Sequence, residues 1–175
     1  LSTWPDTQIR RLETVEDAQI TELANLLVDC IDGDAGVSFL HPLSPEKAQA
    51  FWRGVATAVA AGDRALLVAE DDAGILGTVQ LVLAQPENQP HRADLSKMLV
   101  HRRGRRKGLG AALLEAAEET ARGCGKTLLV LDTNSGSDAE RLYARMGWIR
   151  VGEIPDFSIQ PRGGLRATTV FYKKL

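Results

Sequence analysis

The sequence predicts a mixed α/β domain, and three observations carry that reading. Segments with helical spacing alternate with short β-rich runs along the whole chain. One apolar strand runs through a glycine-rich basic turn straight into an amphipathic helix, "RADLSKMLVHRRGRRKGLGAALLEAA" at residues 92–117. The chain has 175 residues, 44% hydrophobic and 25% charged, which suits one core without a linker, so a single domain over residues 1–175 is expected.

Each element has its own signal. "TQIRRLE" (residues 7–13) reads as a first strand. Val15, Ala18, Ile20, Leu23, Leu26 and Leu27 recur near helical period, so a first helix follows. "DGDAGVSF" (residues 32–39) breaks it as a loop. Ser44 before Pro45 marks the start of a second helix that stops near Gly62. "RALLVAED" and "ILGTVQLVLAQ", separated by "DAG", read as a hairpin, and residues 92–100 as the next strand. The third helix presents Leu109, Ala112, Leu113, Ala116, Ala117 and Ala121 on one face and stops at Gly123. "KTLLVLD" ends a buried strand at Asp132, and "SDAE" (residues 137–140) is a capping box for a fourth helix. "WIRVGEI" and "LRATTVFYKKL" are the last strands, with "PDFSIQPRGG" expected as the loop between them.

Charge and composition exclude several classes. The formal net charge is -2, so any basic patch is local. Two cysteines, Cys30 and Cys124, make no disulfide framework, which points to a reducing, cytoplasmic setting. No run reaches the roughly 18 apolar residues a membrane span needs, and no apolar signal core opens the chain. The scattered His41, His91 and His101 have no metal-ligand spacing, so no metal is expected.

"RRGRRKGLGAALL" (residues 102–114) admits three readings: a nucleic-acid grip, a phosphate cradle or a solvated turn. A loop between a strand and a helix start lies at the positive dipole end, where amides lack partners. Gly104, Gly108 and Gly110 would let an anion approach the backbone. The P-loop pattern fails, and Leu113 stands where the dinucleotide fingerprint needs its third glycine. The pattern that fits is R-x-x-G-x-G, Arg105 through Gly110.

That motif, placed between the fourth strand and its helix, resembles the GCN5-related N-acetyltransferase (GNAT) superfamily. "DGDAGVSF", "AEDD…LGTVQL", "LSKMLV" and "LYARMGWIRVGEIP" look like the tabtoxin-resistance acetyltransferases within it. The resemblance implies the GNAT fold: a mixed, mostly antiparallel twisted sheet of six to seven strands, flanked by about four helices and split between the fourth and fifth strands. It implies acetyl-CoA as cofactor, leaving CoA as product. The amides of Arg105, Arg106, Lys107, Gly108, Leu109 and Gly110 would hold the pyrophosphate, and the backbone of Met98, Leu99 and Val100 would pair with pantetheine. Arg102, Arg103 and Arg106 would be placed near the 3′-phosphate.

Tyr143 shares a helix face with Ala139, Leu142 and Met146, which turns it toward the protein. Ala139, Tyr143, Gly147 and Trp148 match the family pattern A-x-x-x-Y-x-x-x-G-[FW] (Phe or Trp last), whose tyrosine donates a proton to the leaving thiolate. The chain departs from many relatives at Gly136, where they carry asparagine; Asn134 and Ser137 lie nearby. By likeness to the tabtoxin-resistance enzymes, Asp94 and Asp132 would relay a proton from the amine. Strand alternation places Asp94 with Ser96, Met98 and Val100 unless a bulge intervenes. For the acetyl acceptor, Asp32, Asp34, Arg162 and Arg166 are candidate contacts, and Phe39 and Trp52 candidate walls or core.

The expected function is transfer of acetyl to the amine of a small molecule, with amino acids and amino-acid-like toxins among the candidates. Nucleic acid and membrane are not expected partners, and a homodimer stays open. A non-catalytic acyl-CoA sensor and a nucleic-acid binder using residues 102–107 are the alternative readings.

Overall fold

The computed structural model describes residues 7–175. The elements run β1 (Gln8–Leu12), α1 (Asp17–Asp32), α2 (Pro45–Ala60), β2 (Arg64–Asp71), β3 (Gly74–Val82), β4 (Arg92–Val100), α3 (Leu109–Gly123), β5 (Leu128–Asn134), α4 (Asp138–Arg145), β6 (Ile149–Ile159) and β7 (Leu165–Lys174), with a short 3-10 turn at Arg102–Gly104. The seven strands form one sheet in the order β1-β2-β3-β4-β5-β7-β6. All neighbouring pairs are antiparallel except β4 and β5. The mixed sheet with its flanking helices is the fold class the sequence predicts.

Two cores sit on opposite faces of the sheet. On one, α3 lays Leu109, Leu113, Leu114, Ala117 and Ala121 against Ala65, Leu67, Val79, Leu81, Ala93 and Leu95. On the other, α1 and α2 pack Leu23, Leu27, Trp52 and Val55 against Leu66, Val68 and Leu99. Each fully buried leucine contributes roughly 1.5–3 kcal/mol of transfer free energy. β2 and β3 are therefore covered on both faces and read as near-continuous apolar runs.

Local signals explain the helix starts. Ser44 Oγ accepts from Lys47 N at 3.2 Å, and Pro45 occupies the first turn. Ser137 Oγ accepts from Glu140 N at 3.1 Å. Glu140 completes the cap one residue early, accepting from Gly136 N at 2.5 Å, and also accepts from Thr169 Oγ1 at 2.8 Å. These bonds hold the Glu140 carboxyl below the ordinary range, the Gly136 amide most and Thr169 next. The eight-residue α4 is thereby tied to β7, one turn before Tyr143.

Two boundaries differ from expectation. β5 continues past Asp132 to Asn134, because its antiparallel partner β7 pairs it out to Thr168. β6 runs through Pro155 to Ile159, absorbing half of the expected "PDFSIQPRGG" loop. The proline sits in a register break between Ile154 and Ser158, with Asp156 at φ 53°, on the outermost strand where a missing N–H is tolerated.

Candidate functional site

The parallel pairing of β4 with β5 covers only Arg92–Leu128, Ala93–Leu129 and Asp94–Val130. Beyond Asp94 the strands diverge while β4 stays paired to β3 and β5 to β7. The wedge opens into a cleft of about 970 Å³, at the large end of ligand-site volumes.

A bulge shapes the β4 wall. Thr78 pairs with Leu99 and Gln80 with Ser96, so Val79 faces two residues, Lys97 and Met98, and Lys97 takes φ 51°. The extra residue reverses the alternation. Ala93, Leu95, Met98 and Val100 pack into the α3-side core, whereas Leu99 packs into the α1/α2 side. Asp94 and Ser96 thus share a face with Leu99 rather than with Met98 and Val100.

The basic glycine loop forms the far end of the cleft. Gly108 is the N-cap of α3 at φ 84° with no side-chain cap, so the first-turn amides have no intrahelical partner. A Cβ at Gly108 would meet nothing within 4 Å. Gly104 and Gly110 are small for another reason than anion access. A Cβ at Gly104 would sit 3.3 Å from Leu109 Cδ2, and one at Gly110 would sit 3.1 Å from Leu142 Cδ2. They allow the turn to pack under α3, and α3 to approach α4.

The arginines divide. Arg102 pairs with the buried Asp29, whose Oδ2 also accepts from the Arg102 amide at 3.0 Å. Arg103 Nη1 bonds Asp71 Oδ2 at 2.8 Å. Arg105 turns inward and donates from Nε to Val100 O at 3.1 Å. Arg106, at φ 58°, lines the cleft. Two of the five basic side chains of this loop are matched by acids inside the fold, and its continuous basic surface is smaller than the sequence suggests.

Of the sequence-predicted donor-site residues, Met98, Leu99, Val100, Arg105, Arg106, Gly108, Leu109 and Gly110 line this one cleft. Lys107 lies in the same loop and is not among the lining residues. Tyr143 and Asp132 line the cleft from the opposite side, with Asn134 and Ser137. Tyr143 is buried against Trp148 and Phe171, ring centroids at 5.8 and 6.0 Å. Burial, and after it the charge of Asp132, raise its phenol well above the ordinary tyrosine range. It therefore carries its proton throughout the neutral range. Asp132 Oδ2 accepts from Thr168 Oγ1 at 2.8 Å.

Asp94 stands apart. It pairs with Arg92, accepts from Gln85 Nε2 at 3.1 Å, and lines a neighbouring cavity of about 410 Å³. Asp132 lines both spaces, so it joins the two. Of the acetyl-acceptor candidates, Asp34 and Arg166 line the large cleft. Asp32 lies 3.5 Å from His41 instead, and Arg162 donates to Asp32 O at 3.1 Å. Trp52 is fully buried core, and Phe39 packs edge-on to Phe51 at 5.3 Å. Lys97, Ser38 and Phe157 also line the cleft without having been singled out. Ser38 and Phe157 fall in "DGDAGVSF" and "PDFSIQPRGG", the segments that supply the acceptor candidates Asp32, Asp34 and Arg162, and a lysine inside "LSKMLV" is the signal that was available for Lys97.

A sheet opened between its fourth and fifth strands, with bare helix amides at one end of the opening, is the acetyltransferase architecture. The chain matches the model of the acetyltransferase (GNAT) family over residues 22–148, and it belongs to that family. It is an N-acetyltransferase that uses acetyl-CoA as donor. An uncharacterized N-acetyltransferase of the hisH–hisA intergenic region of Azospirillum brasilense is 30% identical over 129 residues, 73% of this chain and 75% of its own. The ribosomal-protein-alanine N-acetyltransferase of Brucella melitensis superposes with TM-score 0.80 at 21% identity, covering 96% of this chain and 99% of that one. A Salmonella typhimurium structure that holds acetyl-CoA as its cofactor superposes with TM-score 0.77 at 19% identity, covering 97% and 94%. The cleft fits that donor, since the open space beside Gly108 leaves backbone amides for a phosphate and the diverging edge of β4 leaves a strand unpaired beside it.

Proposed function

We propose that this enzyme transfers acetyl directly to the primary amine of a small, amino-acid-like molecule. The observation that carries the reading is one cleft lined on one side by the α3 amides and on the other by Tyr143 and Asp132. When bound, acetyl-CoA supplies an acetyl group activated as a thioester. The amides of residues 105–110 hold its pyrophosphate, and the backbone of Met98 and Leu99 lies along its pantetheine arm. Val100 contributes less than those two, because its carbonyl already accepts from Arg105 Nε.

Tyr143 holds a proton at its hydroxyl, kept there by burial, and delivers it to the departing sulfur. Asp132 takes the proton that the amine must lose to become nucleophilic. Asp94, in the adjoining cavity that Asp132 also lines, passes it outward. The tabtoxin-resistance resemblance supports an acceptor of amino-acid type. The test is a screen of amines, weighted to amino acids and toxin-like analogues, read by CoA release with saturating acetyl-CoA. Tight acetyl-CoA binding with no release for any amine would favour a sensor instead. Tight, salt-sensitive binding of a duplex oligonucleotide would favour a nucleic-acid role.

A further inference from the structure

The part of the cleft away from the α3 amides carries Lys97 and Arg166 beside the acids Asp34 and Asp132, and of these Lys97 is held in the most unusual way. Lys97 sits on the extra residue of the β4 bulge in a left-handed backbone, φ 51°. Bulges re-aim a side chain out of the strand's alternation. Here Nζ donates to Ser38 Oγ at 3.0 Å and lies 5.9 Å from the Phe51 ring centroid. Ser38 is left-handed too, φ 78°. Two such residues meeting across a cleft mark a position that the surrounding structure holds against its local preference.

Lys97 is half-buried and makes no ion pair within 4 Å among the described residues. Burial, with the charge of Arg64 second, draws its ammonium below the ordinary lysine range, while Asp132 opposes the shift. Gln80, paired with Ser96 across the strands, is fully buried; its Oε1 takes Arg64 Nη1 at 2.8 Å and its Nε2 has no partner. A half-buried cation in a ligand cleft, with no carboxylate within 4 Å to pair it, is completed by an anionic ligand group.

We infer that Lys97 is the binding residue for an anionic group on the acetyl acceptor, a carboxylate in the simplest case. Asp132, on the other wall of the same cleft and within electrostatic reach of Lys97, receives the amine. The acceptor class is then a zwitterion: an amine and an anion on one small scaffold, read by two side chains of opposite sign. This rests on the small-amine reading above and narrows it.

The test uses the intact enzyme and pairs of probes: L-amino acids beside their α-amides and the corresponding decarboxylated amines. Wild type is expected to prefer the acid by at least about tenfold in kcat/KM, the size of one charge-assisted contact. In Lys97→Met the preference collapses toward one, through KM rather than kcat, with acetyl-CoA Kd unchanged by calorimetry. Lys97→Arg restores part of it. Equal use of acid and amide by wild type, or a preference that survives in Lys97→Met, overturns the inference while leaving the small-amine reading intact. Acetyl-CoA binding with no acetylation of any probe overturns both. Loss of acetyl-CoA binding in Lys97→Met and in Lys97→Gln assigns the residue to the donor end and also overturns it.

Discussion

The two ends of the cleft are built by different means. The donor end is mostly backbone: the amides that follow Gly108, the unpaired edge of β4 and a helix N-terminus, all within residues 98–110. The other end is side chains from separate elements: Asp34 and Ser38 from the α1–α2 loop, Lys97 from β4, Asp132 from β5, Phe157 from β6 and Arg166 from β7. A backbone site recognises a group that never changes, a pyrophosphate. A side-chain site can be revised one residue at a time while the sheet stays the same. On the proposed reading, the first end holds the donor and the second decides which amine is served.

The sharpest test of this division is Tyr143→Phe, which removes one oxygen between the two ends. The expected fall in kcat is about 10²–10⁴-fold, the usual worth of a positioned proton donor. Acetyl-CoA Kd should stay put, because the ring keeps its packing on Trp148 and Phe171. Unchanged single-turnover rates would place the proton donor elsewhere. The next effect separates the two carboxylates. Asp132→Asn is expected to lower kcat about 10–100-fold. Asp94→Asn removes only the outward step, which solvent reaching this part-exposed side chain can take over, and should cost less, about threefold. Equal losses would mean that the two cavities act as one.

What could be read in advance follows the same division. The donor end was legible because its requirement is local: R-x-x-G-x-G is contiguous and follows its strand directly. Even there the sequence overstated two things. Three glycines looked equivalent, yet only Gly108 faces open space; Gly104 and Gly110 serve close packing. The arginines looked like a surface, yet Asp29 and Asp71, far away in sequence, match two of them. The other end was poorly legible, because its residues come together only when the sheet is ordered β4-β5-β7-β6. The β4 bulge was foreseen only as a condition. It depends on a mismatch between two strands, which no single strand displays. The extension of β6 through Pro155 was missed because proline signals a break, and only an edge position overrides that signal.

The glycine contrast gives the third prediction. Gly108→Trp should weaken acetyl-CoA binding by at least about tenfold, or about 1.4 kcal/mol. The bulky ring enters open space beside the amides, and the left-handed backbone adds strain of about 1–2 kcal/mol to the fold. Gly110→Val should behave in the opposite way, lowering Tm by forcing α3 from Leu142, with whatever protein remains folded still binding the donor. Unaltered calorimetric Kd in Gly108→Trp would remove the pyrophosphate from this loop.

The smallest effect concerns the wall that joins the donor end to α1. Cys30 is buried, and its Sγ donates to Val100 O at 3.7 Å, the same carbonyl that Arg105 holds. Burial pushes its thiol up to about 11, from 9.0 for an ordinary thiol. A group whose folded value is raised stabilises fully below its unfolded value, and that contribution is lost as pH rises between the two. The window here is pH 9–11, and at pH 10 the loss is about 1 kcal/mol. Tyr143 loses stability in the same direction in alkali, so wild type alone does not isolate the thiol. The difference does. Cys30→Ala should start less stable at pH 8 because it leaves a small cavity, and its deficit should shrink by about 1 kcal/mol by pH 10 in urea titrations. Parallel pH profiles for the two proteins would mean that the wall is wet. The donor end would then be a flexible pocket rather than a preformed backbone cradle.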